Sequence, residues 1–392
     1  MNTAETLRAL FAYCKAENWA GHDPYDALNS PLLDPDRGWA PKLVRLVATQ
    51  FMKRSPLDFR PLMRTPKTQN AKALALNLET VHWLAASRVV DTTGLADYFV
   101  GRLKALRSPD QKHWCWGYSF PWQTRGTCVP RHSPNLVCTT FVADALLSQY
   151  ERTRAPDLLE MVESAARYIA EDLYYEGPGV ASFSYPSPGL SSTVHNANLM
   201  AAAFLLRLNT HRPDARMAER ARKAADFSVS KQRTDGSWLY GEAATQNWID
   251  NFHTGYNLGA IRTIARLLDT DRYDGVLDRG FAFYRAHFLR ADGAARYFHD
   301  NTFPIDAHCV AQTILTMLDF SDLDADAEAQ AQGAFDWAVK HMWDPRGFFH
   351  YRVTRFGRIR TSYMRWTQAW MLLAVARLAA RHGAALQVRN AA

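Results

Sequence analysis

The sequence predicts an all-α fold, an (α/α)6 toroid in which a single domain of six helical hairpins carries an extra N-terminal helix. Two observations lead to this prediction. Apolar, helix-like segments recur about every sixty residues along the chain, which is the signature of a repeat architecture. The connections between these segments alternate between short and long. Without the repeat, 392 residues would suggest two or three domains at about 150 residues each.

The helices can be assigned in chain order. Residues 1–40 are predicted to form a helix over 3–17 and an irregular arm, and the toroid is predicted to occupy 41–385. Pro156 and Pro213, each followed by an aspartate, are favourable helix starts, because proline fits the first turn and an acid favours the positive helix end. The predicted outer helices cover 41–54, 94–107, 156–173, 213–232, 271–290 and 324–342. The predicted inner helices begin near Asn70, Cys138, His195, His253, Asp306 and Arg365.

The long connections all precede inner helices. They hold most of the tryptophan, tyrosine, phenylalanine, glycine and proline residues. Their ranges are 108–137, 174–194, 233–252, 291–305 and 343–364. Because the inner helices run in one direction, these connections meet at one end of the toroid, which we call the mouth. Long aromatic loops on a rigid scaffold commonly carry function, so we expect the functional site there.

Composition excludes several classes of protein. The net charge is +7, the mean hydropathy is −0.30, and no long apolar run predicts a membrane-spanning helix. The first residues lack the pattern of a signal peptide, so a cytoplasmic location is expected, with peripheral membrane association left open. Five cysteines are too few for a disulfide framework and their spacing fits no metal site. We find no cofactor motif and no nucleic-acid-binding module, so neither partner is expected.

Two kinds of catalysis are compatible with the starts of the inner helices. Asp250 and Asp306 could serve as the general acid and base of an inverting glycosidase, which needs carboxyl groups roughly 6.5–9.5 Å apart. A polysaccharide lyase or uronate epimerase would instead use His253 as base and Tyr256 as acid, three residues apart on one helix face. Either aspartate could also be a helix cap that accepts bonds from free backbone N–H groups.

The substrate-binding candidates are polar and aromatic side chains of the mouth segments and of the first turns of the inner helices. They are Trp116, Tyr118, Arg125, His195, Asn196, Asn198, Trp248, Asn251, His308, Arg365, Trp366 and Gln368. The positive ends of the inner helices and the arginines of the mouth favour an anionic ligand, so we expect an acidic oligo- or polysaccharide.

One hairpin carries a known structural signature. Lys223, Phe227, Gln232, Gly236 and Trp238 resemble the QW motif of terpenoid cyclases, which are also α/α toroids. The resemblance supports the fold and keeps a terpenoid or polyprenyl cyclase as an alternative. Neither the DxDD motif that protonates an alkene nor the DDxxD cluster that binds a magnesium diphosphate is present.

Several stretches together resemble a bacterial family of six-hairpin, glycosidase-like proteins that is found with exopolysaccharide, capsule or O-antigen genes. The resemblance covers roughly 20–380 and is most specific at Asp250–Gly255. It rests on the stretches 22–30, 53–62, 116–123, 235–238 and 248–255. Members are often misnamed delta-aminolevulinic acid dehydratase, an enzyme that is a β/α barrel with a Schiff-base lysine and does not fit this all-helical pattern.

The family resemblance implies a role in surface-polysaccharide biosynthesis and supplies no catalytic residues. Three functions therefore remain. The first is a carbohydrate-active enzyme of the hydrolase, lyase or epimerase type that acts on an anionic glycan. The second is a terpenoid cyclase-like toroid, and the third is a glycan-binding scaffold without catalysis. The histidines and carboxylates at the mouth favour an enzyme.

Overall fold

The computed structural model describes the backbone of residues 1–37, 40–123, 128–186 and 193–391, and their side chains except those of Arg37 and 384–391. Helices are the main secondary structure of the described residues. They are α1 (Thr3–Ala16), α2 (Lys42–Arg54), α3 (Ala71–Ser87), α4 (Leu95–Ala105), α5 (Leu136–Thr153), α6 (Pro156–Arg167), α7 (His195–Asn209), α8 (Ala215–Ser230), α9 (Asn251–Leu267), α10 (Asp274–Phe288), α11 (Ala307–Asp319), α12 (Ala327–Met342) and α13 (Ala369–Ala391).

Six helices form the inner ring. In order around the ring they are α3, α5, α7, α9, α11 and α13, and α13 packs against α3 to close it. Helices α4, α6, α8, α10 and α12 each pack outside the inner helix that precedes them in the chain. The predicted (α/α)6 toroid is confirmed.

The two N-terminal helices exchange the roles that the sequence predicts for them. Helix α1 packs outside α13, which has no outer helix after it, and Leu7, Leu10 and Phe11 of α1 join the main hydrophobic core. Helix α2 lies against a short 3-10 helix at Asp26–Asn29, and Met52 is its one buried residue. Apolar periodicity predicts that a helix has an apolar face, but it does not reveal whether other elements pack on that face. For this reason the sequence predicts α2, and not α1, as an outer helix of the toroid. The domain division at residue 40 stays a prediction.

Polar side chains cap four inner helices at the mouth. Asn70, Asn135, Asp250 and Asp306 precede α3, α5, α9 and α11, and each accepts a hydrogen bond from a backbone N–H of its helix. Such caps satisfy donors that have no partner within the helix. The starts of these four helices are therefore fixed by their own sequences, which places the residues that follow the caps at the mouth end.

Short antiparallel strands stiffen the long connections. The pairs are β1 with β2, β3 with β4 and β6 with β7, and β5, β8 and β9 form a three-stranded sheet. The strands are β1 (Trp122–Gln123), β2 (Cys128–Val129), β3 (Tyr174–Gly177), β4 (Val180–Phe183), β5 (Ile305–Asp306), β6 (Trp343–Asp344), β7 (Phe348–Phe349), β8 (Arg352–Thr354) and β9 (Gly357–Ile359). The register places Asp306 opposite Arg352.

The QW-like residues link two outer helices. Gln232 donates to the carbonyls of Gly236 and Val276, at 3.1 and 2.9 Å, and Trp238 Nε1 donates to the carbonyl of Ser228 at 3.0 Å. Gly236 has a φ of +90°, and a Cβ there would lie 2.3 Å from the carbonyl oxygen of Arg279. The motif therefore joins α8 to α10 through a turn that needs glycine. Its role here is structural.

Candidate functional site

A carboxylate and a histidine form a hydrogen-bonded pair at the start of α9. Asp250 caps the helix by accepting from the His253 backbone N–H at 3.0 Å, and its Oδ2 lies 2.7 Å from His253 Nδ1. Trp248 Nε1 also donates to Oδ2, at 2.9 Å. Asp250 is buried, so three donors hold its carboxylate in one orientation. The cap role and the functional role of Asp250 are thus compatible.

His253 is the member of the pair that reaches solvent. Its side chain is 20% exposed. Its ring packs against Tyr240, with centroids 4.5 Å apart, and Tyr240 stacks on Trp248 at 4.4 Å. With Nδ1 directed at Asp250, Nε2 has no hydrogen bond to a described side chain and can act as a base when the ring is neutral. This is the geometry of a general base oriented by a carboxylate.

Tyr256 and His308 meet next to this pair. The Tyr256 hydroxyl lies 2.6 Å from His308 Nε2, and the His308 ring stacks between Phe252 and Trp370, with centroids 4.5 and 4.6 Å away. Burial raises the pKa of Tyr256 well above its usual value and lowers that of His308 well below its own. Both groups are therefore neutral, and the hydroxyl donates to the imidazole. His308 Nδ1 is buried and has no partner among the described residues.

Both carboxylate oxygens of Asp306 already accept hydrogen bonds from the protein. It accepts from the His308 backbone N–H at 2.9 Å, from Arg352 Nε and Nη2 at 3.2 and 2.8 Å, and from Trp366 Nε1 at 3.1 Å. Its side chain is fully buried. A carboxylate that holds four donors and an arginine charge is a poor general acid or base. The arrangement favours a role in fixing β8 and Trp366 against the start of α11.

Arg365 is also neutralised. Its Nε and Nη2 bind both oxygens of Asp23, at 2.6 and 2.8 Å, and its guanidinium lies over the Tyr118 ring at 4.9 Å. Asp23 is 342 residues away along the chain, within the irregular arm. This buried pair joins the arm to the mouth, so Arg365 supplies little charge to a ligand.

Lys72 is not among the predicted site residues, yet it is a buried cation with no acidic partner in the described part of the chain. Its Nζ lies 4.0, 5.3 and 5.8 Å from the ring centroids of Phe141, Trp370 and Tyr256, and it forms no hydrogen bond or ion pair with a described residue. Burial, together with the nearby Arg365 charge, lowers the pKa of Lys72 from its usual 10.5 to about 7. Lys72 is the second residue of α3, as His308 is of α11, so the same repeat position could have revealed it.

Partly exposed tyrosines surround these groups. Tyr25, Tyr118, Tyr185, Tyr240 and Tyr297 are all half-buried residues of the arm or of mouth connections. Burial raises the pKa values of Tyr118, Tyr240 and Tyr297 well above 10, so their hydroxyls remain protonated. Lys53 donates to the Tyr25 hydroxyl at 2.5 Å. The mouth thus offers neutral hydroxyl donors and aromatic faces, a combination suited to sugars.

Several predicted substrate-binding residues lie in the framework instead. Trp116 is fully buried and donates to the Leu103 carbonyl. Both ring nitrogens of His195 are engaged, by Ser228 and Glu242. The buried amides of Asn198, Asn251 and Gln368 bond to neighbouring backbone or side-chain atoms. Asn196 is buried with its Oδ1 unpaired, Trp366 is held by Asp306, and Arg125 lies outside the described residues.

The sequence also predicts that metal sites, disulfides and membrane-spanning helices are absent. Within the described ranges, no group of histidine, cysteine, aspartate and glutamate side chains could hold a metal ion. No disulfide joins any of the cysteines among the described residues. No described helix has the length and apolar character needed to cross a bilayer.

The fold and the mouth define an (α/α)6 toroid with a histidine-containing, tyrosine-rich site. Solved structures of the same fold include the Lin0763 protein of Listeria innocua, at 12% identity over 99% of both chains with a TM-score of 0.65. A GH76 α-mannanase of Bacteroides thetaiotaomicron matches at 12% identity over 84% of this chain and 90% of that chain, with a TM-score of 0.62. The cellobiose 2-epimerase of Bacillus thermoamylovorans matches at 12% identity over 79% and 87%, with a TM-score of 0.61.

These similarities establish the fold and, at such identities, nothing finer. No family model matches the chain, and no curated protein matches its sequence.

Proposed function

We propose that this protein is a carbohydrate-active enzyme that acts on an anionic oligo- or polysaccharide by proton transfer, as an epimerase or lyase does. The observation that carries the proposal is the Asp250–His253 pair, in which Nδ1 is directed at the carboxylate and the ring is partly exposed. The printed names of two structural neighbours, an α-mannanase and a cellobiose 2-epimerase, support a sugar as the substrate class.

Proton transfer is favoured over hydrolysis by two carboxylates. An inverting glycosidase needs one carboxylic acid and one carboxylate, both able to reach the sugar or its attacking water. Asp306 is enclosed by Arg352 and Trp366, and Asp250 is turned toward His253 and Trp248. These contacts argue against the predicted pair of aspartates and support a histidine base.

The proposed chemistry follows from the positions of the side chains. His253 Nε2 removes a proton from a sugar carbon next to a carbonyl or carboxylate, while Asp250 stabilises the imidazolium that forms. The electron pair moves onto the carbonyl oxygen, where neutral hydroxyl donors and the Lys72 ammonium can stabilise the developing charge. Tyr256, the predicted acid, whose hydroxyl stays protonated, completes the reaction: it delivers a proton to the opposite face in epimerisation, or protonates the group that leaves the next carbon in elimination.

The proposed preference for an anionic sugar depends on which cationic side chains near the mouth have no ion pair with an acidic residue. Arg352 and Arg365 are paired with Asp306 and Asp23. Lys53 and Lys72 have no ion pair with a described residue, so a ligand carboxylate would bring the missing counter-charge. The absence of ion pairs at these two described lysines supports them as anion-binding residues, and Arg365 is less suited to that role because Asp23 neutralises it.

The biological setting is proposed from the family resemblance. The stretches around Asp250–Gly255 favour a place in surface-polysaccharide production, with a cytoplasmic or lipid-linked glycan as substrate. Flanking genes for glycosyltransferases or flippases would agree with this setting, and flanking isoprenoid genes would contradict it.

The test is hydrogen exchange at carbon. The protein is incubated with uronic-acid oligosaccharides in deuterated water, and loss of C–H signals is followed by NMR together with any epimer or unsaturated product. We expect His253→Ala to lower the exchange rate about 10²- to 10⁴-fold, the usual contribution of a general base. His341→Ala, on the outer helix α12, is the control and should retain the wild-type rate.

Two results would overturn the proposal. One is turnover of these sugars by hydrolysis that persists in His253→Ala. The other is tight glycan binding without exchange or product, which would identify a binding scaffold.

A further inference from the structure

Helix α2 and the segment after it expose a continuous series of large apolar side chains. Leu43, Val47 and Phe51 are 71%, 59% and 55% exposed, and their four-residue spacing puts them on one face of the helix. Leu57 and Leu62 follow, with 66% and 73% exposed. We call these five residues the α2 surface. Monomeric proteins rarely leave such a patch uncovered, so it indicates an interaction site.

The opposite face of α2 is docked on the protein. Met52 is buried, and the helix packs on the 3-10 helix at Asp26–Asn29 and on β1. Lys53 of α2 donates to Tyr25 at the mouth. Helix α2 is therefore held in place beside the mouth, and its apolar face is directed away from the body of the protein.

The charged side chains of helix α2 itself are all cations, and the one acid between Leu57 and Leu62, Asp58, is paired with Arg60. Helix α2 contains no aspartate or glutamate, and Lys42, Arg45, Lys53 and Arg54 form no ion pair with a described residue. Lys42 and Arg54, at the two ends of the helix, are exposed. A second copy of this chain, placed symmetrically on the surface, would bring these cations together and be repelled. An anionic bilayer has the complementary properties, because apolar chains lie beneath negative headgroups.

We propose that the α2 surface binds an anionic phospholipid membrane, with α2 lying in the headgroup region. Leu43, Val47 and Phe51 then enter the boundary of the acyl chains, and the flanking cations contact phosphate groups. Since α2 adjoins the mouth, docking places the mouth beside the bilayer, where a glycan carried on a lipid could enter. That last consequence rests on the proposed function, whereas membrane binding does not.

The experiment measures co-sedimentation of the full-length protein with vesicles. Vesicles of phosphatidylcholine alone are compared with vesicles that also contain phosphatidylglycerol, without any sugar. We expect binding to the mixed vesicles, weaker binding to phosphatidylcholine, and loss of binding as salt is raised. Leu43→Ser and Phe51→Ser should each weaken binding about tenfold, and Lys42→Ala with Arg54→Ala should remove the preference for phosphatidylglycerol. Circular dichroism checks that each variant is folded.

A matched control lies at the other end of the toroid. Leu323, between α11 and α12, is 59% exposed, and Leu323→Ser should bind vesicles as the wild type does. Absence of vesicle binding by the wild type overturns the proposal, as does equal binding by Phe51→Ser. A wild-type oligomer that Phe51→Ser disperses, with no lipid binding, would identify a second copy as the occupant. Because no turnover is measured, these failures are separate from failure of the proposed enzyme activity.

Discussion

At the residue scale, the cap and the catalytic role of Asp250 can be separated by experiment. Asp250→Asn keeps an acceptor oxygen for the helix start but removes the charge that stabilises a protonated His253. We expect kcat for carbon–hydrogen exchange to fall about 10²- to 10⁴-fold with a small change in KM. Asp214→Asn is the control, because Asp214 caps α8 by the same kind of bond, to the Met217 N–H at 2.9 Å, away from the mouth. Equal losses in both variants would show that capping alone matters.

Lys72 predicts a pH dependence of ligand binding. Its folded pKa of about 7 lies below the usual 10.5, so the free protein loses this proton as pH rises through 7. A ligand carboxylate needs the ammonium form, and binding above pH 7 must therefore be accompanied by proton uptake. We expect the Kd for a uronic-acid oligosaccharide to rise by up to about tenfold per pH unit above 7 and to be nearly constant below it.

Titration calorimetry in buffers of different ionisation enthalpy measures both the affinity and the proton uptake. Lys72→Met should bind weakly at every pH and take up no proton. Wild-type binding whose affinity does not change between pH 6 and pH 9 would contradict the assignment of Lys72 as the anion receptor.

The sequence could predict part of the site and not the rest. The pairing of Asp250 with His253 is local, three residues along one helix, and spacing reveals it. The neutralisation of Arg365 by Asp23 joins residues 342 positions apart, and no spacing rule reaches that far. Asn251 lies in the same first turn as His253, and Gln368 lies just before α13, yet both bond to the framework. Helix position identifies candidates, and only packing decides which side chains reach the mouth.

At the element scale, α1 and α2 also show that sequence patterns do not reveal which helix face is packed against the core. The two helices allow this point to be tested. Leu10 of α1 is fully buried against the core, whereas Leu43 of α2 faces solvent. Truncating a buried leucine removes apolar contacts and leaves a cavity. We therefore expect Leu10→Ala to lower the free energy of unfolding by about 2–5 kcal/mol, and Leu43→Ala by less than about 0.5 kcal/mol. Urea denaturation with a common m-value measures both changes in the free energy of unfolding. If Leu10→Ala lowers that free energy as little as Leu43→Ala does, α1 is not part of the core.

Four of the inner helices, α3, α5, α9 and α11, were predictable because two independent signals coincide at each of them. A capping residue such as Asn70 or Asp306 precedes a run of small and apolar residues, so the start and the buried face are both specified. The strands of the long connections were not predicted, since β5 through β9 have two or three residues each and lack any alternating pattern. Their pairing nonetheless matters to the site, because β8 delivers Arg352 to Asp306.

At the scale of the whole molecule, the two ends of the chain belong to one ring. Helix α13 packs against both α3 and α1, and the Tyr13 hydroxyl donates to Ser362 at 2.9 Å across 349 positions of sequence. One continuous core runs from Leu7 to Ala379. A toroid closed by its two ends cannot release its first helix without exposing the buried face of α13, so its elements should lose stability together.

We therefore expect calorimetry to show one cooperative transition, with equal calorimetric and van't Hoff enthalpies. Leu10→Ala should move the whole transition to lower temperature without splitting it, because α1 shares the core of the toroid. The near-ultraviolet signal of Trp19, which packs on Phe11 and Phe99, should disappear in the same transition. A separate early transition accompanied by loss of the Trp19 signal would instead show that residues 1–40 unfold as a unit of their own, as the sequence alone had suggested.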